Sequence, residues 1–231
     1  MVEAATHFVI PVYPGTTHLD FTGPHQFFSR VPGARVIVAS RAGGDLEMDG
    51  LVFAGLPRLV DVAACDVLCV AGGFGTIDAI HDEDFLTQIR RLAGQSTYVT
   101  SVCTGSIILA AAGLLRGRRA ACHWYWRDLL GRFPGVTVGE SRVVRDGNVI
   151  TGGGVTAGID LALTVIAELA GEEVAKRIQL GLEYAPQPPF DAGRPERAPA
   201  EAVAALRGAF EARMAPSRER IDAFLSRASR A

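Results

Sequence analysis

The sequence predicts an α/β fold: an open, doubly wound, mostly parallel sheet with helices on both faces, followed by a C-terminal helical extension. Three observations predict it. Short β-prone apolar runs alternate with helix-period segments along most of the chain. Glycine-rich turns follow two of those runs, at Gly72-Gly73-Phe74-Gly75 and at Gly152-Gly153-Gly154. A cysteine, Cys103, stands where a third run turns at once into a small-residue helix pattern.

Taken in order, Thr6 to Tyr13 (THFVIPVY) reads as a buried central strand that Pro14-Gly15 breaks. A loop over 16–24 leads to a helix from about His25 to Arg30, with Thr22 as N-cap and Pro24 in its first turn. Asp20 then lies in the loop past the end of the first strand. Ala34 to Ser40 is a second strand, Asp45 to Gly55 a hairpin-like excursion and Leu56 to Ala64 a short helix or loop. Asp66 to Ala71 (DVLCVA) is a third buried strand. Thr76 to Ile80 and Asp84 to Ala93 read as helix, the latter with Phe85, Ile89 and Leu92 at helical spacing. Tyr98 to Val102 is a strand, and Ile107 to about Gly113 the helix after the cysteine. A short helix opens over Ala120 to Trp126 and runs to Phe133. Short strands follow at 137–138, 142–144 and 149–151, the last two joined by an Asp146-Gly147 turn. Val155 to Leu169 and Gly171 to about Leu182 are helical, and the proline-rich stretch 184–193 is an extended arm. Val203, Leu206, Phe210, Met214, Ile221, Phe224 and Leu225 form the apolar face of a final helical stretch over 199–231. The expected organisation is a domain over 1–195 and an extension over 196–231 that packs on it or on a second subunit.

Composition narrows the classes. Of 231 residues 48% are hydrophobic, enough for a sizeable core, and the formal charge of −2 offers no global attraction to nucleic acid or anionic membrane. The four cysteines, at 65, 69, 103 and 122, form no CxxC or Cys/His zinc pattern. No signal-peptide pattern opens the chain and no apolar run is long enough for a bilayer. A reduced, cytoplasmic protein with free thiols and no metal is expected.

The functional candidates gather after strands, the edge where open α/β sheets build their sites. A cysteine facing a helix N-terminus has its thiolate favoured by unpaired N–H groups, and thiolate is the nucleophile. The alternative for Cys103 is a small core residue. Asp20 is a general acid or a solvated loop aspartate. Gly73, Gly153 and Gly154 release backbone N–H donors toward a developing charge, or simply make tight turns. Thr104 caps the helix or bonds to the sulfur. His123 acts directly or is a histidine hydrogen-bonded at a helix start. In a flavodoxin-like arrangement these turns converge on one pocket.

SVCTGS with the following IILAAAGLLRGRRAACHW resembles the nucleophile elbow of the PfpI-like superfamily, of class I glutamine-amidotransferase-like fold. VYPGTTHLDFTGP, VAGGFGT, TGGGVTAGIDLAL and the arm EYAPQPPFDAGRPE match it too, so the resemblance covers most of the chain. Intracellular-protease members usually carry His after the cysteine, where this chain has Thr104, which speaks against a peptidase. Asp20 stands where the isonitrile-hydrating members have their aspartate. The resemblance therefore implies hydration of an isonitrile to an N-substituted formamide, with Cys103 as nucleophile, Asp20 as acid and then base, and no cofactor. It also implies a small-molecule substrate and a homodimer. Sensor domains of AraC-type regulators share the CTG and HW motifs, but the stretch after Gly193 is too short for their paired helix-turn-helix units. Glyoxalase-type chemistry and a redox or ligand sensor are the other expectations.

Overall fold

The structure is a computed structural model describing residues 5–228; the expected helix over 229–231 and the first four residues of the expected domain lie outside the described residues. In chain order come β1 (Thr6–Val12), α1 (His18–Phe28), β2 (Ala34–Ser40), β3 (Gly44–Met48), β4 (Leu51–Leu56), β5 (Val67–Val70), α2 (Thr76–Ala79), α3 (Glu83–Ala93), β6 (Tyr98–Ser101) and α4 (Gly105–Ala111). Then follow β7 (Arg119–Ala120), α5 (Arg127–Leu130), β8 (Thr137–Val138), β9 (Val143–Asp146), β10 (Val149–Gly152), α6 (Ala157–Ala170), α7 (Glu172–Gly181), α8 (Ala200–Met214) and α9 (Arg218–Ala228).

The main sheet has the order β2-β1-β5-β6-β10-β9 and is parallel except for β9, which pairs antiparallel with β10. Leaving out the edge strand β9, this is the doubly wound order whose topological switch point lies between its first and third strands, here β1 and β5. Side chains of β1 alternate: Phe8 and Ile10 face one layer with Phe28, Leu161 and Val165, whereas Val9 faces the other with Ile89, Ile107 and Ile108. Both sheet faces are therefore covered, which is why β5 is buried throughout and reads as one apolar run.

The structure departs from the sequence expectations at several elements. The helix expected from His25 begins at His18, so Pro24 lies in its interior and Thr22 caps nothing; Thr22 Oγ1 donates back to the His18 carbonyl at 2.9 Å. A proline normally ends a helix. Here packing overrides that tendency: a Cβ on Gly158 of α6 would sit 3.1 Å from the Pro24 ring, so the two helices cross closely on glycine and proline. The stretch from Leu56 to Ala64, expected as a short helix or loop, is as expected a loop with one 3₁₀ turn at Leu59–Asp61. The helix expected over 120–133 is instead the end of β7 at Ala120, a 3₁₀ turn, Trp124–Trp126, and the single turn of α5. The C-terminal stretch is two helices, α8 and α9, divided near Pro216. Met214, Ile221 and Leu225 bury themselves in the same core layer as Ile107 and Leu130. Among the described residues no helix is long and apolar enough to cross a membrane.

Candidate active site

Cys103 occupies the corner between β6 and α4 with φ 59°, a left-handed conformation that costs a non-glycine residue about 1–2 kcal/mol. Its neighbours enforce it. The Cys103 N–H donates to the Gly153 carbonyl at 2.7 Å and to that of Gly152 at 3.3 Å. Ser106 Oγ donates to the Cys103 carbonyl at 3.1 Å. Gly105 makes the corner possible, because a Cβ there would stand 2.1 Å from the Val70 carbonyl oxygen. Gly105→Ala is accordingly expected to destabilise the fold by about 3 kcal/mol, lowering Tm by roughly 10 °C. An unchanged calorimetric Tm would show that the corner can relax.

Asp20 comes to this corner from the first turn of α1 and is fully buried. Its Oδ2 accepts the Gly72 N–H at 2.9 Å. Its Oδ1 is buried with no conventional partner, and the other polar group at the carboxyl is the Cys103 thiol. Burial dominates the electrostatics. It lifts the Asp20 carboxyl from 3.8 to about 7 against the opposing hydrogen bond from Gly72. It also pushes the Cys103 thiol well above 9, an effect that the nearby Asp20 charge reinforces and a Thr104 N–H contact to sulfur opposes. The expectation of a resting thiolate is thus corrected. α4 has only seven residues, and its terminus does not offset the loss of hydration at a buried sulfur. Between pH 7 and the thiol's raised pKa the pair holds one proton, carried by sulfur.

The remaining candidates take different places. Thr104 Oγ1 accepts the Gly73 N–H at 2.8 Å and lies 2.8 Å from Thr76 Oγ1 and 3.1 Å from the Gly73 carbonyl, so its hydroxyl clamps the glycine turn rather than meeting the sulfur. The Gly73 amide is consumed by that bond and is not a free donor. Its backbone, at φ 147°, passes so near Gly15 that a Cβ would lie 2.2 Å from that carbonyl. Gly153 donates to the Arg142 carbonyl at 2.8 Å and turns its own carbonyl to Cys103, acting as an acceptor at the corner instead of the expected donor. Gly154 lies beside His123, and both line a cavity of about 220 Å³ with Gly153, Cys122 and Arg127. His123 Nδ1 accepts the Tyr125 N–H at 3.3 Å, and burial lowers its pKa to about 4, so the ring is neutral at physiological pH. Sequence reasoning passed over Gly72 as the amide that holds Asp20. A Cβ there would meet Thr104 N at 2.5 Å and Asp20 Oδ2 at 2.8 Å, and the doubled glycine was its only signal. Tyr13 Oη donates to the Ala71 carbonyl at 3.1 Å and lies 3.0 Å from Thr76 Oγ1, a buried contact that a residue reading as strand does not announce. Among the described residues no group of histidine, cysteine and carboxylate side chains could hold a metal ion.

A doubly wound sheet that presents a cysteine on a left-handed strand-to-helix corner, beside a buried carboxyl at the switch-point crevice, defines a protein of the nucleophile-elbow α/β class. The sequence profile of the DJ-1/PfpI family matches residues 7–168, and the chain belongs to that family. It is 46% identical over 193 residues to the isonitrile hydratase of Pseudomonas putida, covering 83% of this chain and 84% of that one. It is 32% identical over 143 residues to the HTH-type transcriptional regulator CdhR of Pseudomonas aeruginosa, of which it spans 42%. Among solved structures, a THiJ/PfpI family protein from Pseudomonas syringae superposes with a TM-score of 0.86 at 38% identity, covering 96% of this chain and 91% of that one.

Proposed function

We propose that the chain is an isonitrile hydratase, converting R–N≡C and water to R–NH–CHO through a covalent adduct on Cys103. The observation that carries this reading is the buried Asp20–Cys103 pair: a carboxyl tuned to about 7 against a thiol, with one oxygen left unpartnered. The extensive identity to the P. putida enzyme supports it.

The reacting pair enters with a single proton, on sulfur. That proton passes to Asp20, and the thiolate attacks the terminal isonitrile carbon while Asp20 delivers the proton to the same carbon. The product is a thioimidate, R–N=CH–S–Cys103, and Asp20 is again a carboxylate. Asp20 next takes a proton from water as the water oxygen attacks the imidate carbon, and that proton moves to nitrogen. In the resulting R–NH–CH(OH)–S–Cys103 the C–S bond breaks, the hydroxyl proton returns through Asp20 to sulfur, and the formamide leaves. The Thr104 N–H at the sulfur steadies the thiolate at each stage. No step calls on a cofactor.

Because the second proton on the pair blocks the base role, activity is expected to rise as pH increases through about 7 and to hold until the thiol itself ionises. The test is formamide formation from p-nitrophenyl isocyanide across pH 5–9 (roughly two units either side of the carboxyl's midpoint). No formamide at any pH would overturn the reading, and a rate that falls through pH 7 would overturn the proton inventory.

We further propose a homodimer and a cytoplasmic setting. Exposed Leu19 on α1 and Leu51 and Val52 on β4, with the start of α1 tied to the turn before β4 by the His18 N–H donated to Asp49 Oδ2 at 3.0 Å, support an apolar subunit contact. Four free thiols support a reducing compartment.

A further inference from the structure

Tyr13 follows β1 directly, and its side chain is buried edge-on against the Phe85 ring, with centroids 5.6 Å apart. Its backbone is fixed at both ends: the Tyr13 N–H donates to Thr16 Oγ1 at 2.9 Å, and the Tyr13 carbonyl accepts the Thr16 N–H at 3.0 Å. The hydroxyl so placed donates to the Ala71 carbonyl at 3.1 Å. That carbonyl and the Gly72 N–H belong to one peptide unit, which is planar and trans. The two groups point in opposite directions across it. The Gly72 N–H is the donor that Asp20 Oδ2 accepts at 2.9 Å. Burial, above all, raises the Tyr13 phenol well above its ordinary range, so the hydroxyl keeps its proton wherever Asp20 titrates.

We infer that Tyr13 is a positioning residue for the hydration reaction: it holds the Ala71–Gly72 peptide by its carbonyl end, and so aims and strengthens the N–H that grips Asp20. A hydrogen bond to a peptide oxygen draws electron density from the nitrogen and makes the N–H a better donor, by roughly 10–30% per bond in a chain. A better donor favours the ionised carboxyl over the protonated one. The relay from Tyr13 through Ala71 and Gly72 therefore opposes part of the rise that burial imposes on Asp20, and keeps the proton carrier able to exchange near neutral pH. Cys103, Asp49, Cys69 and Cys122 also interact electrostatically with Asp20, and removing the Tyr13 hydroxyl leaves all four in place. This inference rests on the role given to Asp20 in the isonitrile reading above.

The test is Tyr13→Phe, which keeps the ring and its contact with Phe85 and deletes only the hydroxyl. The Asp20 midpoint is read without turnover, by infrared titration of its protonated carboxyl band, assigned as the band that Asp20→Asn lacks. It is expected to rise by about half a pH unit, and the acid limb of formamide formation from p-nitrophenyl isocyanide to move up with it. An infrared midpoint that stays in place, whatever happens to Tm, reduces Tyr13 to a packing residue and overturns the inference. Should the phenylalanine variant fail to fold, 3-fluorotyrosine at position 13 supplies a more acidic phenol of nearly the same shape. As the stronger donor it is expected to move the midpoint down, and a midpoint that is unmoved or raised there overturns the inference. A shifted infrared midpoint with no formamide from the unaltered protein upholds the hold of Tyr13 on Asp20 and overturns the isonitrile reading alone.

Discussion

Replacing Cys103 with alanine is expected to reduce formamide formation to the uncatalysed background, a loss of at least about 10⁴-fold. The adduct cannot form without sulfur, and no other nucleophile occupies the corner. Thr104 is committed to Gly73 and Thr76, and Ser106 donates to the Cys103 carbonyl. Alanine inherits the same φ of 59°, so the backbone strain is unchanged and the fold should persist. Cys103→Ser provides a second variant with a hydroxyl in place of the thiol. The covalent step is open to direct inspection. Acid-quenched enzyme caught during turnover should gain the whole mass of the isonitrile, because the thioimidate retains every substrate atom, and the gain should be missing from Cys103→Ala. Formamide produced by Cys103→Ala at an undiminished rate would refute the mechanism.

The second large effect is a pair of opposite changes from one substitution. Asp20→Asn should lose at least about a thousandfold in turnover, since an amide cannot shuttle protons. The same variant should be more stable than the parent at pH 8. Burial raises the folded-state pKa of Asp20 from 3.8 to about 7, so its contribution to stability is fully present below pH 3.8 and is lost as pH rises through about 7. The full difference corresponds to about 4 kcal/mol, and asparagine, neutral at every pH, escapes it while its side-chain oxygen still accepts the Gly72 N–H. Calorimetry at pH 8 is expected to show a Tm higher by roughly 10 °C, with the two proteins converging near pH 4. A lower Tm at pH 8 would mean that the ionised carboxyl is satisfied in the fold, and retained turnover would remove Asp20 from the chemistry.

Much of this was legible in the residues. The alternation of short apolar runs with helix-period segments defined a parallel doubly wound sheet, because strands covered on both faces must be continuously apolar. The cysteine corner was legible too. A β-prone run, one cysteine and then Gly105 with small helix formers leaves little alternative to a sharp turn. Local signals misled at α1, where Gly23-Pro24 reads as a helix boundary. That pair instead buys close packing against Gly158, a contact with a residue distant in the chain. Asp20 was consequently placed in a loop, although it sits in the first turn of a helix.

The sequence by itself determined the sheet order's parallel character, the position of Cys103 at a strand-to-helix corner and the glycine turns around it, because these follow from periodicity and from backbone conformations that few residues adopt. Only the tertiary structure decided the protonation of the site, the commitment of the Gly73 and Gly153 amides and the role of Gly72. Burial and hydrogen-bond satisfaction belong to the assembled neighbourhood. A helix N-terminus taken alone favours a thiolate, whereas the desolvation of that sulfur, set by a core layer that runs from β1 to α6, favours the thiol.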